Sequence, residues 1–369
     1  MKHIIVALDG TWRAAYADPF HSNVYRMNLA FEYRDKKENP QQFIYVSGVG
    51  TYGRNSWFWG GTVGEGLDQL ILGAYINLLS NYEAGDKIYL FGFSRGAMAA
   101  RALSGIGMIV SAGLLYPDQS ALVDIAWRHF LGLNIGFDFK GMKREATHAN
   151  VTIEFLGIWD TVYGKNTEKL VANKKFNKLR IRSLALDPTV KNGVQILAMD
   201  ETRRVFSPLL WNRKKADQFC EQIWMPGVHT DVGGGYSRSV LSDVSILSMM
   251  AKLAERCPDL KFDPYYIEEA LMADIDYEEQ VVINDEWRGY LGSLLDRHVS
   301  REVRSDVPCQ SLHPIANLLA DRPVNYKGKD RPYESALKLS SARPLPCTSL
   351  DNSVIDWKKV DGLISQKLS

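Results

Sequence analysis

The chain has 369 residues, 46% of them hydrophobic and 24% charged, with a formal net charge of +1. That is enough apolar material for one large buried core, and the near-neutral balance excludes a whole-molecule electrostatic pull toward nucleic acid or anionic lipid. The four cysteines, Cys220, Cys257, Cys309 and Cys347, lack the close spacing of a zinc site or a dense disulfide scaffold and read as reduced thiols of a cytoplasmic protein.

Ile4–Leu8 reads as a first strand that runs into Asp9-Gly10-Thr11-Trp12. It is too short for the apolar core of a signal peptide, so the expected location is cytoplasmic as synthesised, with any export left to a secretion system that needs no such peptide. A helix near 23–33, a strand over 42–47 and a helix near 65–80 follow, giving the βαβ rhythm of a parallel sheet with right-handed crossovers. Between the second strand and the second helix lies Trp57-Phe58-Trp59-Gly60-Gly61. Adjacent aromatics point in different directions, so Trp57 and Trp59 are candidates for an acyl-binding mouth as well as for loop anchors in the core.

The run Lys87–Phe91 then meets Gly92-Phe93-Ser94-Arg95-Gly96, followed by the helix-forming Ala97-Met98-Ala99-Ala100-Arg101-Ala102-Leu103. G-x-S-x-G between a strand and a helix is a nucleophile elbow, which makes Ser94 the candidate nucleophile and Phe93 a neighbour for substrate. The apolar stretch 103–116 falls short of the ~20 residues of a membrane span and reads as the buried helix behind the elbow. A further helix near 120–131 leads to Val151–Trp159, a β-branched and aromatic strand ending in Asp160. The basic run holding Lys165, Lys169, Lys174, Lys175, Lys178, Arg180 and Arg182 reads as a solvated face or as part of a lid over about 163–198 that touches membrane surfaces transiently.

A serine nucleophile needs a base, and the base needs an acid to fix its tautomer. The strand Gln222–Met225 delivers His229 in Pro226-Gly227-Val228-His229-Thr230-Asp231, beside Gly233, Gly234 and Gly235. Asp160 and His229 both follow strand ends, where open α/β sheets build their sites. Asp231 and Asp200 are rival acids, and Asp231 is also placed to bind loop amides. His3, His21, His129, His148, His298 and His313 have no strand-end context and read as structural. For an oxyanion hole the Arg95 N–H supplies one donor and Gly10 or Thr11 a second, with an ordinary Asp9-capped turn as the alternative. The strand before His229 is expected to close the sheet. The later chain reads as helical over 240–256 and 266–273, then as an irregular, proline-rich tail from about 301 to 369 ending in a helix near 354–367.

These segments resemble an α/β-hydrolase family, long described as a domain of unknown function, that includes phospholipase effectors of bacterial type VI secretion. The resemblance rests on Leu8–Trp12, Val46–Thr51, Asn81–Ala97, Gly157–Val162, Asp200-Glu201 with Arg203-Arg204, and Pro226–Tyr236, and it runs to roughly residue 240. It implies a triad of Ser94, Asp160 and His229, in agreement with the reading above. Gln195 stands where the family pattern has a histidine, and the modest tail makes the chain look like a catalytic-domain-only member.

The expectation is therefore an α/β-hydrolase fold, a mostly parallel sheet with helices on both faces, in a catalytic domain over 1–300 with a helical and irregular tail packed on it. Its reaction would be cleavage of acyl esters through an acyl-enzyme, with no metal or organic cofactor and with lipid as the substrate class the resemblance implies. A small-molecule carboxylesterase is the alternative within that chemistry. A metal-dependent hydrolase built on Asp9, His229 and Asp231 is the alternative outside it, and a non-catalytic interaction module is a third. The sequence carries no signal for oligomeric state.

Overall fold

The computed structural model describes residues 1–10, 20–48, 66–104, 108–133, 139–162, 184–237, 240–277, 280–284, 298–320, 322–326, 329–338 and 344–369. Seven strands form the main sheet, numbered here in chain order: β1 (His3–Leu8), β2 (Gln41–Val46), β3 (Lys87–Phe93), β4 (Ile153–Trp159), β5 (Val190–Ala198), β6 (Phe219–Met225) and β7 (Gln310–Leu312). Their spatial order is β7-β6-β5-β4-β3-β1-β2, and every pairing is parallel. The expected α/β fold is the one that forms. The strand order reverses between β1 and β3, and the carboxyl ends at such a reversal form a crevice.

Successive side chains of a strand point to opposite faces, so a strand covered on both sides must be apolar throughout. On one face Ile5, Ala7, Tyr89, Phe91, Phe155, Trp159 and Ile196 pack against the helices Asn23–Leu29, Val240–Arg256 and Trp357–Lys367. On the other, Ile4, Val6, Leu8, Ile88, Leu90 and Ile158 meet the helices Leu67–Asn81 and Arg95–Ser104. β1 is buried along its full length, as this arrangement demands. Among the described residues no helix is long and apolar enough to cross a membrane.

Four expectations need correction. The stretch 103–116 is not one helix: beside the elbow helix, described over Arg95–Ser104, it holds a short helix Met108–Ala112 and the two-residue strand Leu114–Leu115. Gly113, at φ 80°, breaks the run, because a left-handed residue cannot continue a helix. The first helix is shorter than expected, closing at Leu29 with Ala30 as its cap. Residues 190–198, expected inside a lid, are the interior strand β5. Its start is polar because Lys191 pairs with Glu154 on β4, Asn192 donates to the Glu154 carbonyl, and Gly193 admits the Leu186 side chain. Finally, β6 does not close the sheet. β7, from the segment expected to be irregular, pairs with it in the register Gln310↔Gln222 to Leu312↔Trp224.

Candidate active site

The elbow is set by contacts that only glycine tolerates. A Cβ on Gly92 would lie 2.6 Å from the Gly96 carbonyl oxygen, and one on Gly96 would meet the Asp9 carbonyl oxygen at 2.6 Å. Strand and helix therefore approach until no side chain fits between them, and Ser94 is held at φ 59° in the left-handed region. Non-glycine residues occupy that region at a cost of order 1–3 kcal/mol, so the surroundings must enforce it. Here the Ser94 N–H donates to the Trp159 carbonyl at 3.1 Å, while its own carbonyl accepts from Met98 N at 3.3 Å and Val162 N at 3.5 Å. The serine is thus tied to the end of β4, one residue before Asp160.

Asp160 is itself left-handed, at φ 40°, and fully buried. Its Oδ2 lies 2.5 Å from His229 Nδ1. Burial alone would push this carboxyl upward, but the Arg301 guanidinium and the His229 contact outweigh it and hold Asp160 well below the usual carboxylate range. An ionised carboxylate only accepts, so His229 Nδ1 carries the proton and Nε2 is the basic nitrogen. Burial lowers the His229 imidazole below its ordinary 6.5, opposed by Asp160 and by Glu201.

His229 opens the short helix His229–Gly233 and is 4% exposed. Its ring lies 4.6 Å, centroid to centroid, from Phe93 and 4.8 Å, edge-on, from Phe206. Gly233 passes under the same Phe93 ring so closely that any Cβ there would collide with it. Phe93, expected among the substrate contacts, is 3% exposed and forms a wall of the imidazole instead. The loop before His229 is fixed on both sides. Asp200 accepts from Gly227 N, Tyr333 Oη and Ala336 N, and Asp231 accepts from Val228 N, Asn284 N and Asn284 Nδ2. The two rival acids serve the backbone, and Asp160 is the one that meets the imidazole.

At the end of β1, Asp9 Oδ1 accepts from Gly10 N at 2.6 Å and Oδ2 accepts from Ser22 Oγ and Tyr45 Oη. The Gly10 amide, expected as a candidate oxyanion donor, thus donates to the Asp9 carboxylate in this structure. Close packing of Gly10 against the elbow is nonetheless real: a Cβ there would sit 3.4 Å from Ser94 Cβ. The Arg95 N–H belongs to the first residue of the elbow helix, where helical geometry leaves amides without an internal partner. Thr11, Trp57, Trp59 and the basic run 165–182 lie outside the described residues.

Asp9, His229 and Asp231 do not assemble: among the described residues no three acid, histidine or cysteine side chains form a group that could hold a metal ion. Gln195 is buried in a polar network, accepting from Thr161 Oγ1 and donating to the Leu209 carbonyl at 3.1 Å. His3 bridges Tyr89 and Asp35, and His313 contacts Ser248, both inside the protein. The reading from sequence missed Glu201, whose Oε2 accepts from the His229 N–H at 3.3 Å and pairs with Arg203. The Asp200-Glu201 motif was the available signal. It also missed Arg301, which lies 141 positions from Asp160 and has no local signature.

Residues 2–252 match the family model described as "T6SS, Phospholipase effector Tle1-like, catalytic domain". An uncharacterized protein of Saccharomyces cerevisiae, YEL023C, is 33% identical over an alignment of 141 residues that covers 34% of this chain and 20% of that protein. Among solved structures, an uncharacterized protein from Pseudomonas aeruginosa aligns at 20% identity and a TM-score of 0.43, covering 72% of this chain and 47% of that one. The Tle1 effector bound to the VgrG spike from the Type 6 secretion system aligns at 22% identity and a TM-score of 0.37, covering 64% and 52%. The chain thus spans a fifth of the length of the yeast protein and about half of each solved chain. The family match covers well over half of the present sequence and includes Ser94, Asp160 and His229: the chain belongs to the family of Tle1-like phospholipase effector catalytic domains of type VI secretion.

Proposed function

We propose that the chain is a serine ester hydrolase of phospholipase type. The observation that carries this reading is a serine held left-handed between a strand and a helix, its amide bonded to Trp159, the residue before Asp160 of the buried Asp160–His229 pair. Ser94 Oγ attacks the ester carbonyl carbon, and His229 Nε2 takes its proton and passes it to the leaving alcohol. Asp160 keeps the imidazole in the Nδ1–H form and stabilises the imidazolium. The Arg95 N–H and an amide of the loop after β1, Thr11 in our reading, hold the oxyanion. Water activated by the same histidine then releases the fatty acid and restores Ser94. Because burial lowers the His229 pKa below its ordinary 6.5, the acid limb of the activity profile is expected below that value.

A glycerophospholipid acyl ester is the substrate class that family membership supports, and delivery by type VI secretion is its natural setting. The test is hydrolysis of mixed phospholipid vesicles and of a short-chain nitrophenyl ester by wild type and Ser94→Ala, in chelator. Fatty acid release abolished by the substitution is expected. Turnover of the short ester alone would make the protein a general esterase. Turnover surviving in Ser94→Ala, or no turnover together with no fluorophosphonate label on wild-type Ser94, would refute the mechanism.

A further inference from the structure

Arg301 grips the acid of the Asp160–His229 pair from the side opposite the imidazole. Its Nη1 lies 2.5 Å from Asp160 Oδ1 and its Nη2 lies 2.8 Å from Oδ2, the same oxygen that meets His229 Nδ1. The remaining terminal N–H groups donate to the Ala198 and Phe206 carbonyls, each at 2.7 Å. The guanidinium is therefore anchored to the end of β5 and to the loop carrying Phe206, whose ring edges onto His229. Its own backbone is pinned as well: the Arg301 carbonyl accepts from Lys338 N, and Val299 N donates to the Thr202 carbonyl. Both side chains are buried, so the pair is not screened by water.

We propose that Arg301 is a positioning residue of the hydrolase, setting the orientation of Asp160 and the basicity of His229 through it. The proposal rests on the serine-hydrolase reading above. A bidentate guanidinium fixes the carboxylate plane, so Oδ2 is aimed at Nδ1 rather than free to rotate. It also offsets the charge that would otherwise stabilise imidazolium. Among the described residues, the other charged groups around the ring are Glu201, bound to the His229 N–H, and Arg203, which pairs with Glu201 and lies over Phe206. Those two balance one another, so Arg301 is the charge that decides whether Asp160 acts on the imidazole at full strength.

Removing that charge leaves Asp160 uncompensated, favours imidazolium and raises the pH at which the base is freed. The experiment is the pH dependence of kcat/KM for wild type, Arg301→Met, Arg301→Gln and Arg301→Lys, on whichever ester Ser94→Ala ceases to turn over. In the two neutral variants the acid limb is expected to move up by about one pH unit, with roughly tenfold loss near the wild-type limb. Arg301→Lys keeps the charge and loses the fork, so its limb stays near wild type while kcat falls. In the two neutral variants, an equal loss at every pH with the limb unmoved is what a merely structural arginine gives, and it would overturn the proposal. So would a shift in Arg301→Lys as large as in Arg301→Met. If neither neutral variant folds, a double-mutant cycle decides: Arg301→Lys is expected to lower kcat in the wild type but to add no further loss to Asp160→Asn, and an equal loss in both backgrounds refutes the role. Absence of Ser94-dependent turnover in the wild type would instead remove the hydrolase reading itself, and the proposal with it.

Discussion

Asp160 is a buried charge with two side-chain partners, Arg301 and His229, besides the Ala198 N–H, and its surroundings are unlike those of its acidic neighbours. Asp200 and Asp231 accept only from backbone and neutral side chains, whereas Asp160 meets a guanidinium and an imidazole. The difference is testable by amide substitution. Asn at 160 keeps the shape but presents an NH2 group either to Arg301 or to His229 Nδ1. The latter would favour the tautomer with its proton on Nε2, which cannot accept from Ser94. Asp160→Asn is therefore expected to lower kcat by about 10³- to 10⁴-fold. Asp231→Asn, two residues from His229, should change kcat by less than about tenfold. Steady-state ester turnover of the two variants side by side separates them, and equal losses would show that the imidazole takes its orientation from the loop rather than from Asp160.

The turns that carry the site work because strands and helices meet at glycine. The short helix starting at His229 passes Gly233 under Phe93, and Phe93 in turn backs His229. Gly233→Ala should push the ring off the imidazole, costing about 1–3 kcal/mol of stability and a larger share of activity than of fold. Thermal melting and turnover measured together check this; full activity in a destabilised variant would disconnect Phe93 from the base. Elements of this kind were legible in the sequence: β1, β3, the elbow, Asp160, the His229 loop and the helix Val240–Arg256 all announce themselves through local pattern. β5 was not, because Lys191, Asn192 and Gly193 answer to partners on β4 and to Leu186 rather than to their own neighbours in sequence. β7 has only Gln310-Ser311-Leu312, and it becomes a strand because β6 offers it an open edge. Trp224 Nε1 donates to Gln310 and Ser311 donates to Glu221, contacts that exist only after folding. Arg301 was invisible for the same reason: its meaning lies in a carboxylate far away in the chain.

Taken as a whole, the molecule closes its site with segments from beyond the family-matched region, and their contacts link stability to pH. Tyr333 and Ala336 reach Asp200 from one side of the His229 loop, and Asn284 reaches Asp231 from the other. Burial raises both carboxyls, Asp200 to about 6 and Asp231 to about 7, and the amide donors around them only partly oppose it. A carboxyl raised on folding binds its proton more tightly in the native state than in the unfolded chain. Between the ordinary value of 3.8 and those raised values the native state holds more protons, so stability declines as pH rises through that window. Asp160 and Glu201 act in the opposite sense: both are lowered despite burial, by Arg301 and by Arg203 respectively, and their contribution is lost only as pH falls toward and below the ordinary carboxylate range. His229 and His313, both lowered by burial, act in this second sense, losing stability as pH falls below the ordinary imidazole value of 6.5, so the aspartate contribution shows only on substitution. Replacing Asp200 and Asp231 together by Asn keeps acceptors for the loop amides and removes both ionisations. Relative to the double variant, the wild type is expected to lose on the order of 2 kcal/mol per site between about pH 5 and pH 8. Melting curves at the two pH values decide it: an undiminished loss in the double variant would assign the pH dependence to other groups.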